Sequence, residues 1–228
     1  MAENALIVGA GSGLSAALAR LFAKEGMKVA LAARNTEKLA ALAKETGARV
    51  FACDASKRVD VEALFAAAGP LDIVVYNPSA RARGPVAELD PDQVLNALVV
   101  SCYGGFLVGQ QAAKRMLAQG HGTILFTGAS ASVKGYAQSA PFAMGKFGLR
   151  GLAQSMAREL APKNIHVAHF VIDGGIRKLD TNDERAAQRG PDGTLEPSAI
   201  AATYLSIHRQ HRSAWTWEVE LRPWVENF

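Results

Sequence analysis

The chain has 228 residues, 49% of them hydrophobic and 20% charged, enough for one sizeable core. Its formal net charge of +4 is spread over scattered basic residues with short clusters at Arg81/Arg83 and Arg177/Lys178, which excludes a nucleic-acid-binding stripe. No run of about eighteen apolar residues occurs, and MAENALIVGAG runs directly into a strand pattern, so the expectation is a cytoplasmic protein with no membrane span and no secretion signal.

Short apolar runs predict strands at Ala5–Gly9, Val29–Ala33, Val50–Cys53, Ile73–Tyr76, Thr123–Thr127 and His166–Ile172. Between them, helical spacing covers Leu14–Lys24, Thr36–Lys44, Val59–Ala68, Asp92–Ala118 and Phe142–Leu160, with Gly26, Gly47, Gly69 and Gly120 as stop signals. Apolar strands alternating with helices specify an α/β protein with a doubly wound parallel sheet covered on both faces. No repeat or linker interrupts the pattern before residue 174, so 1–228 reads as a single domain. Residues 174–197 are polar and glycine-containing and read as a mobile loop on the substrate side, with room for one short helix. A helix over Pro197–Gln210 and an aromatic strand over Trp215–Trp224 complete the chain.

The first strand is followed by GAGSGLSAALARLF. Glycines between a first strand and a helix let the backbone approach a pyrophosphate, which then sits on the helix N-terminus. Gly9 ends the strand, Gly13 opens the helix, and Ser15 stands where a third small residue packs on the sheet; the register Gly11–Gly13–Ala16 serves the same phosphates. The second strand ends in VALAARN. An acidic residue there would bond the adenosine ribose; Arg34 instead offers a planar fork to a 2′-phosphate, favouring NADP(H) over NAD(H). The plainer alternative is a surface arginine at a strand end.

Together, GAGSGLS (Gly9–Ser15), AARN (Ala32–Asn35), CDAS (Cys53–Ser56), YNPSA (Tyr76–Ala80), HGTILFTGAS (His121–Ser130), FAMGK (Phe142–Lys146) and DGGI (Asp173–Ile176) resemble the short-chain dehydrogenase/reductase family over nearly the whole chain. The resemblance implies a single Rossmann-like sheet of seven parallel strands in the order 3-2-1-4-5-6-7. It implies a cofactor held by Gly9, Gly11, Ser12, Gly13, Leu14, Arg34, Asn35, Asp54, Ala55, Asn77, Lys146, Gly174 and Ile176. Within that set Asp54 would meet the adenine edge, Asn77 would stand near the adenine ribose, and Gly174 and Ile176 would flank the nicotinamide. Val8, Ser15, NPSA and Asp173-Gly174 depart from the family pattern without removing the phosphate cradle, which is mainly backbone.

The catalytic positions depart further. The family uses Asn, Ser, Tyr and Lys: Tyr delivers a proton, Ser polarises the carbonyl, Lys lowers the Tyr pKa and grips the ribose, and Asn holds a relay water. Here the Asn position falls on Ser101, the Ser position on Ala129, thirteen residues before the Tyr position, and the Tyr position on Phe142; only Lys146 remains. A phenyl ring donates no proton, and general acid catalysis contributes a factor of about 10² to 10⁴. Ser130, Ser132 and Tyr136 are candidate substitutes, and Lys146 itself could donate if burial lowers its pKa. Each has a plainer role as turn serine, loop aromatic or ribose ligand.

His121 reads as a surface group, and His166 and His169 as structural groups in the sixth strand. Cys53 and Cys102 match no metal-ligand spacing and read as free thiols of a reducing compartment; no cluster implies a metal. The aromatic end, with Trp215, Trp217 and Trp224, suits an interface in a homodimer or homotetramer, or a cover for the monomer core. Two functions fit. One is an NADP(H)-dependent oxidoreductase with altered proton-donor chemistry acting on an unknown small molecule. The other is an inactive dinucleotide-binding protein serving as a sensor or partner subunit.

Overall fold

The computed structural model describes residues 2–178 and 183–226. Its strands are β1 (Asn4–Val8), β2 (Lys28–Ala33), β3 (Arg49–Ala52), β4 (Ile73–Tyr76), β5 (Gly122–Thr127), β6 (Ile165–Ile172) and β7 (Glu218–Leu221). Its helices are α1 (Leu14–Lys24), α2 (Ala40–Thr46), α3 (Arg58–Ala68), α4 (Pro91–Leu98), α5 (Gly104–Gln119), α6 (Ala140–Leu160), α7 (Glu184–Arg189) and α8 (Pro197–His208). The strands form one sheet in the order β3-β2-β1-β4-β5-β6-β7, every neighbouring pair parallel. This is the expected Rossmann-like architecture.

Alternation along the strands divides the core into two layers. Ile7, Leu31 and Phe170 face one side, where Phe22 of α1 and Tyr204 of α8 cover them. The Phe170 and Tyr204 rings stack at 3.6 Å between centroids. Leu6, Val74 and Phe126 face the other side, against Phe65 of α3, Met116 of α5 and Leu149 of α6. Burial on both faces is what makes the strands read as unbroken apolar runs.

Three elements differ from expectation. The long helix predicted over Asp92–Ala118 is α4 and α5 joined by a turn of π-helix at Val99–Tyr103. The Tyr76 hydroxyl donates to the Val100 carbonyl, and Ser101 exchanges hydrogen bonds with the Ala80 backbone. Side-chain intrusion of this kind widens a helical turn. The helix predicted from Thr36 begins instead as a 3₁₀ turn at Glu37–Leu39, because the Asn35 side chain accepts from the Glu37 amide and opens a tighter bend. The final strand is limited to Glu218–Leu221: Trp215 leaves the ladder to stack on His166, and Pro223 follows close behind the strand's other end.

The segment 174–197 contains the short helix α7 and is tied by a parallel bridge between Ile176 and Leu195. Residues 179–182, part of the stretch predicted as mobile, lie outside the described residues.

One close approach is decisive for the strand–turn–helix unit. Gly9 has φ +81°, and a Cβ there would lie 2.7 Å from the Pro78 nitrogen. Gly9→Ala is expected to destabilise the protein by about 1–3 kcal/mol, whereas Gly135→Ala, at a position with open space around it and no positive φ, should change stability little. Urea unfolding of both variants checks this.

Candidate functional site

The site lies where the chain leaves the carboxyl ends of β1 to β4. The Gly9 and Ala10 amides both donate to the Ala32 carbonyl of β2, at 2.9 and 3.0 Å, which folds the turn over the sheet edge. Asn77, just past β4, donates through its side chain to Ser15 Oγ at 2.8 Å, and Ser15 donates to the Gly9 carbonyl at 3.1 Å. Ser15 therefore does what a bare glycine there cannot: it clips the first turn of α1 to the strand end and to β4.

Gly11 and Gly13 face open space, with nothing within 4 Å of the Cβ either would carry. Gly13 caps α1 with no side-chain hydrogen bond, so the first amides of the helix remain available to an anion. Two adjoining cavities flank this turn. The larger, about 840 Å³, is bounded by Gly9, Gly11 and Ser12 on one side and by Arg34, Asn35, Asp54, Ala55 and Asn77 on the others. The smaller, about 440 Å³, shares Gly9, Gly11, Ser12 and Asn77 and adds Gly13, Leu14 and Ile176. An extended cleft with a bare backbone at its centre fits a dinucleotide pyrophosphate.

The cleft also contains groups that sequence reasoning did not single out. Lys38, from the 3₁₀ turn before α2, lines the larger cavity with Arg34. It stands one helical turn beyond Arg34, a spacing visible in ARNTEK once the turn is known. Arg177 and Lys178 line the smaller cavity, so the basic cluster noted in the sequence faces the cleft. Asp54 is held below the ordinary carboxylate range, chiefly by the Ser56 hydroxyl at 2.6 Å.

The predicted catalytic positions form a separate, closed cluster. Lys146, Phe142 and Ala129 are all buried, and none of them lines either cavity. Lys146 is 2% exposed and donates to the Thr127 carbonyl at 2.7 Å. Burial, with the Arg81 charge second, lowers its pKa from 10.5 to about 7. Arg81 lies over Phe142, its guanidinium carbon 4.0 Å from the ring centroid. Ser101 is buried in the π turn with its hydroxyl engaged by Ala80, and its Cβ would lie 2.8 Å from one added at Gly145. Gly174 has φ +145° and packs against Pro223 rather than into a cavity.

The remaining candidates divide by exposure. Ser130 is half-buried at the start of a 3₁₀ turn, and Tyr136 is 44% exposed beside the Lys134 ammonium. Ser132 is fully buried, with its hydroxyl turned inward to the Ala129 amide at 3.1 Å and to His169 Nε2 at 3.2 Å. His169 Nδ1 meets Glu218 at 3.1 Å, and Glu218 accepts two bonds from Arg150 at 2.6 and 2.7 Å. Burial lowers the His169 pKa to about 4, against the raising effect of Glu218, so the ring is neutral at pH 7. Among the described residues, no group of three or more His, Cys, Asp or Glu side chains is placed to hold a metal, and no helix is long and apolar enough to cross a membrane.

A family profile described as short chain dehydrogenase matches residues 3–189. A solved short-chain dehydrogenase from Rhodopseudomonas palustris is 39% identical, with a TM-score of 0.84 over 97% of this chain and 99% of that one. A variant of actinorhodin polyketide ketoreductase solved with NADPH is 26% identical, with a TM-score of 0.89 over 100% and 98% of the two chains. A 3-ketoacyl-(acyl-carrier-protein) reductase from Brucella melitensis complexed with NADH is 25% identical, with a TM-score of 0.86 over 97% of each chain. The match spans from 64% to 89% of the length of similar curated proteins; a D-threitol dehydrogenase of Mycolicibacterium smegmatis is 32% identical over 172 residues, 72% of this chain and 66% of that one.

The buried lysine has a measurable consequence. Between about pH 7 and 10.5 the unfolded chain holds a proton at Lys146 that the folded chain does not, so stability rises with pH across that window. The penalty on the folded state is full below pH 7 and lost above the ordinary lysine value. Relative to Lys146→Met, the wild-type protein is expected to gain about 5 kcal/mol over this range. Paired denaturant titrations at neutral and alkaline pH give the difference.

Proposed function

The chain belongs to the short-chain dehydrogenase family, and on that premise we propose that it is an NADP(H)-dependent oxidoreductase whose proton donor is Lys146. The observation that carries the cofactor half is the bare cradle at Gly11 and Gly13, opening into a cleft that also contains Arg34 and Lys38. The cradle suits a pyrophosphate, and two cations at the β2 end suit a 2′-phosphate. When bound, the nicotinamide supplies or accepts the hydride. Asn35, Asp54 and Ala55 line the adenosine end, and Ile176 lines the cavity on the other side of the glycine turn.

The altered half of the chemistry follows from residues 129, 142 and 146. Alanine and phenylalanine at the first two positions offer no hydrogen bond to a carbonyl oxygen. Lys146, with a pKa of about 7, is half protonated near neutrality and carries a transferable proton. Its substrate is a small molecule with a carbonyl or an activated double bond; the latter needs less acid assistance. Carbonyl reduction is then expected to fall as pH rises through about 7, because the ammonium is the donor form.

One observation favours a second reading, a dinucleotide-binding protein without turnover: the Lys146 ammonium is bound to the Thr127 carbonyl and faces neither cavity. NADPH oxidation against a panel of ketones, aldehydes and enones, run beside a fluorescence titration of NADPH, separates the two. Tight binding without turnover selects the second reading, and failure to bind either nicotinamide cofactor overturns both.

We further propose a homodimer or homotetramer in a reducing cytoplasm. Tyr103 and Phe106 of the π turn and α5, and Met144 and Phe147 of α6, are exposed apolar side chains suited to burial against another copy, and both cysteines are free thiols. Sedimentation at the mass of one subunit would count against the assembly.

Two variants test the chemistry directly. Arg34→Asp is expected to weaken NADPH about tenfold to a hundredfold, the value of a charge-assisted phosphate contact, while NADH is little affected; both are read by fluorescence titration. The double variant Phe142→Tyr with Ala129→Ser is expected to raise ketone reduction by about 10² to 10⁴, read as kcat with saturating cofactor.

A further inference from the structure

Two cations, buried Lys146 and exposed Arg81, stand close together, and among the described residues no carboxylate is paired with either. Lys146 is buried with a single acceptor, the Thr127 carbonyl. The Arg81 guanidinium lies over the ring of Phe142, a residue one helical turn from Lys146, and is the charge that acts on Lys146. Among the described residues, every ion pair belongs to other cations, and Arg81 uses none of its donors in a hydrogen bond. Asp173 already receives Lys134 and Arg222, each at 3.5 Å, and Asp183 receives Arg185 at 3.6 Å. Arg83 and Arg185 add to the positive field, enough, after burial, to depress Arg81 itself.

A buried cation with no ion partner is costly, and an anion beside it relieves the cost; Arg81, exposed next to it, is open to such a ligand. The chemistry also selects the kind of anion. Arg81 lies over the Phe142 ring with none of its donors used among the described residues, and a guanidinium edge matches the two coplanar oxygens of a carboxylate. We propose that Arg81, stacked on Phe142 and adjacent to Lys146, is the recognition residue for a carboxylate on the substrate, so that this protein acts on oxo acids rather than neutral ketones. Phe142 is the positioning residue that holds the guanidinium, and the lysine next to it sits at the reacting end.

This rests on the reading of the glycine-lined cleft as a cofactor site, so NADP⁺ binding is measured first and separately. With NADP⁺ bound, and hence no turnover, the protein is titrated by calorimetry with pyruvate, with acetone, in which a methyl replaces the carboxylate, and with methyl phosphate. Pyruvate is expected to bind at least about tenfold more tightly than acetone, a difference within the range for a charge-assisted contact. Arg81→Gln should abolish that preference while leaving NADP⁺ affinity unchanged within about twofold. NMR of the Lys146 side chain supplies an independent readout. Arg81→Gln should raise the Lys146 pKa by removing the repulsion, and pyruvate should raise it in the wild type but not in the variant. Equal affinity for pyruvate and acetone, a preference that survives Arg81→Gln, or a Lys146 resonance indifferent to both changes overturns the proposal and leaves the cofactor reading intact. Tighter binding of methyl phosphate than of pyruvate overturns the carboxylate assignment. Failure of NADP⁺ to bind overturns the cofactor reading alone, and the same titrations on the free protein then decide the role of Arg81.

Discussion

The site depends on the pairing of β1 with strands on both of its edges. Val8 is in register with Ala32 of β2 on one side and with Tyr76 of β4 on the other. Parallel neighbours require crossovers, and the two that bring β2 and β4 beside β1 lie on opposite faces: α1, from β1 to β2, packs in the layer with Phe170 and Tyr204, and α3, from β3 to β4, in the layer with Phe126 and Met116. The loops beyond Val8 and Tyr76 therefore diverge, and a crevice opens where they part. Gly9, Asn77 and Pro78 stand at its root. The contact of Gly9 with Pro78 closes the floor, and the bond from Asn77 to Ser15 fixes the start of α1.

Much of this was legible because it is periodic. A strand buried on two faces announces itself as four or five apolar residues in a row, and ALIV, IVVY and TILF all do so. The glycine turn was legible because the chemistry its glycines offer is backbone chemistry. What stayed hidden depends on atoms that meet across the chain. Nothing local in VVSCY predicts a π turn; it needs the Tyr76 hydroxyl, which reaches Val100 from another strand. The aromatic alternation of Trp215–Trp224 reads as a strand, yet Trp215 stacks on the His166 ring, with centroids 4.6 Å apart and the planes nearly parallel. Lys38 joins Arg34 only because Asn35 bends the chain into a tight turn first.

The lysine at position 146 shows the same division between pattern and contact. Its place in FAMGK marks a family position, but the sequence says nothing of its environment. Burial and the Arg81 charge lower its pKa to about 7, and neither is visible locally: Arg81 arrives from the loop after β4, sixty-odd residues upstream. A lysine with that pKa is an acid at neutral pH in a way an exposed one is not. The phenyl ring at position 142 can donate no proton, while one helical turn away the fold shapes the acidity of a lysine.

The backbone around positions 129 and 142 is held by groups other than the side chains at those two positions. The Ala129 amide donates to Ser132 Oγ. With Ser132 donating in turn to His169 Nε2, and His169 Nδ1–H to Glu218, the chain of bonds runs in one direction and uses a neutral imidazole, as the burial of His169 requires. Arg150 then neutralises Glu218 with two parallel bonds. Nearby, Lys146 satisfies the Thr127 carbonyl, and Ser101 satisfies both backbone groups of Ala80. The supporting groups come from the π turn, the 3₁₀ turn at Ser130–Ser132, α6, β6 and β7, so the loop is held without a hydroxyl at position 129 or 142.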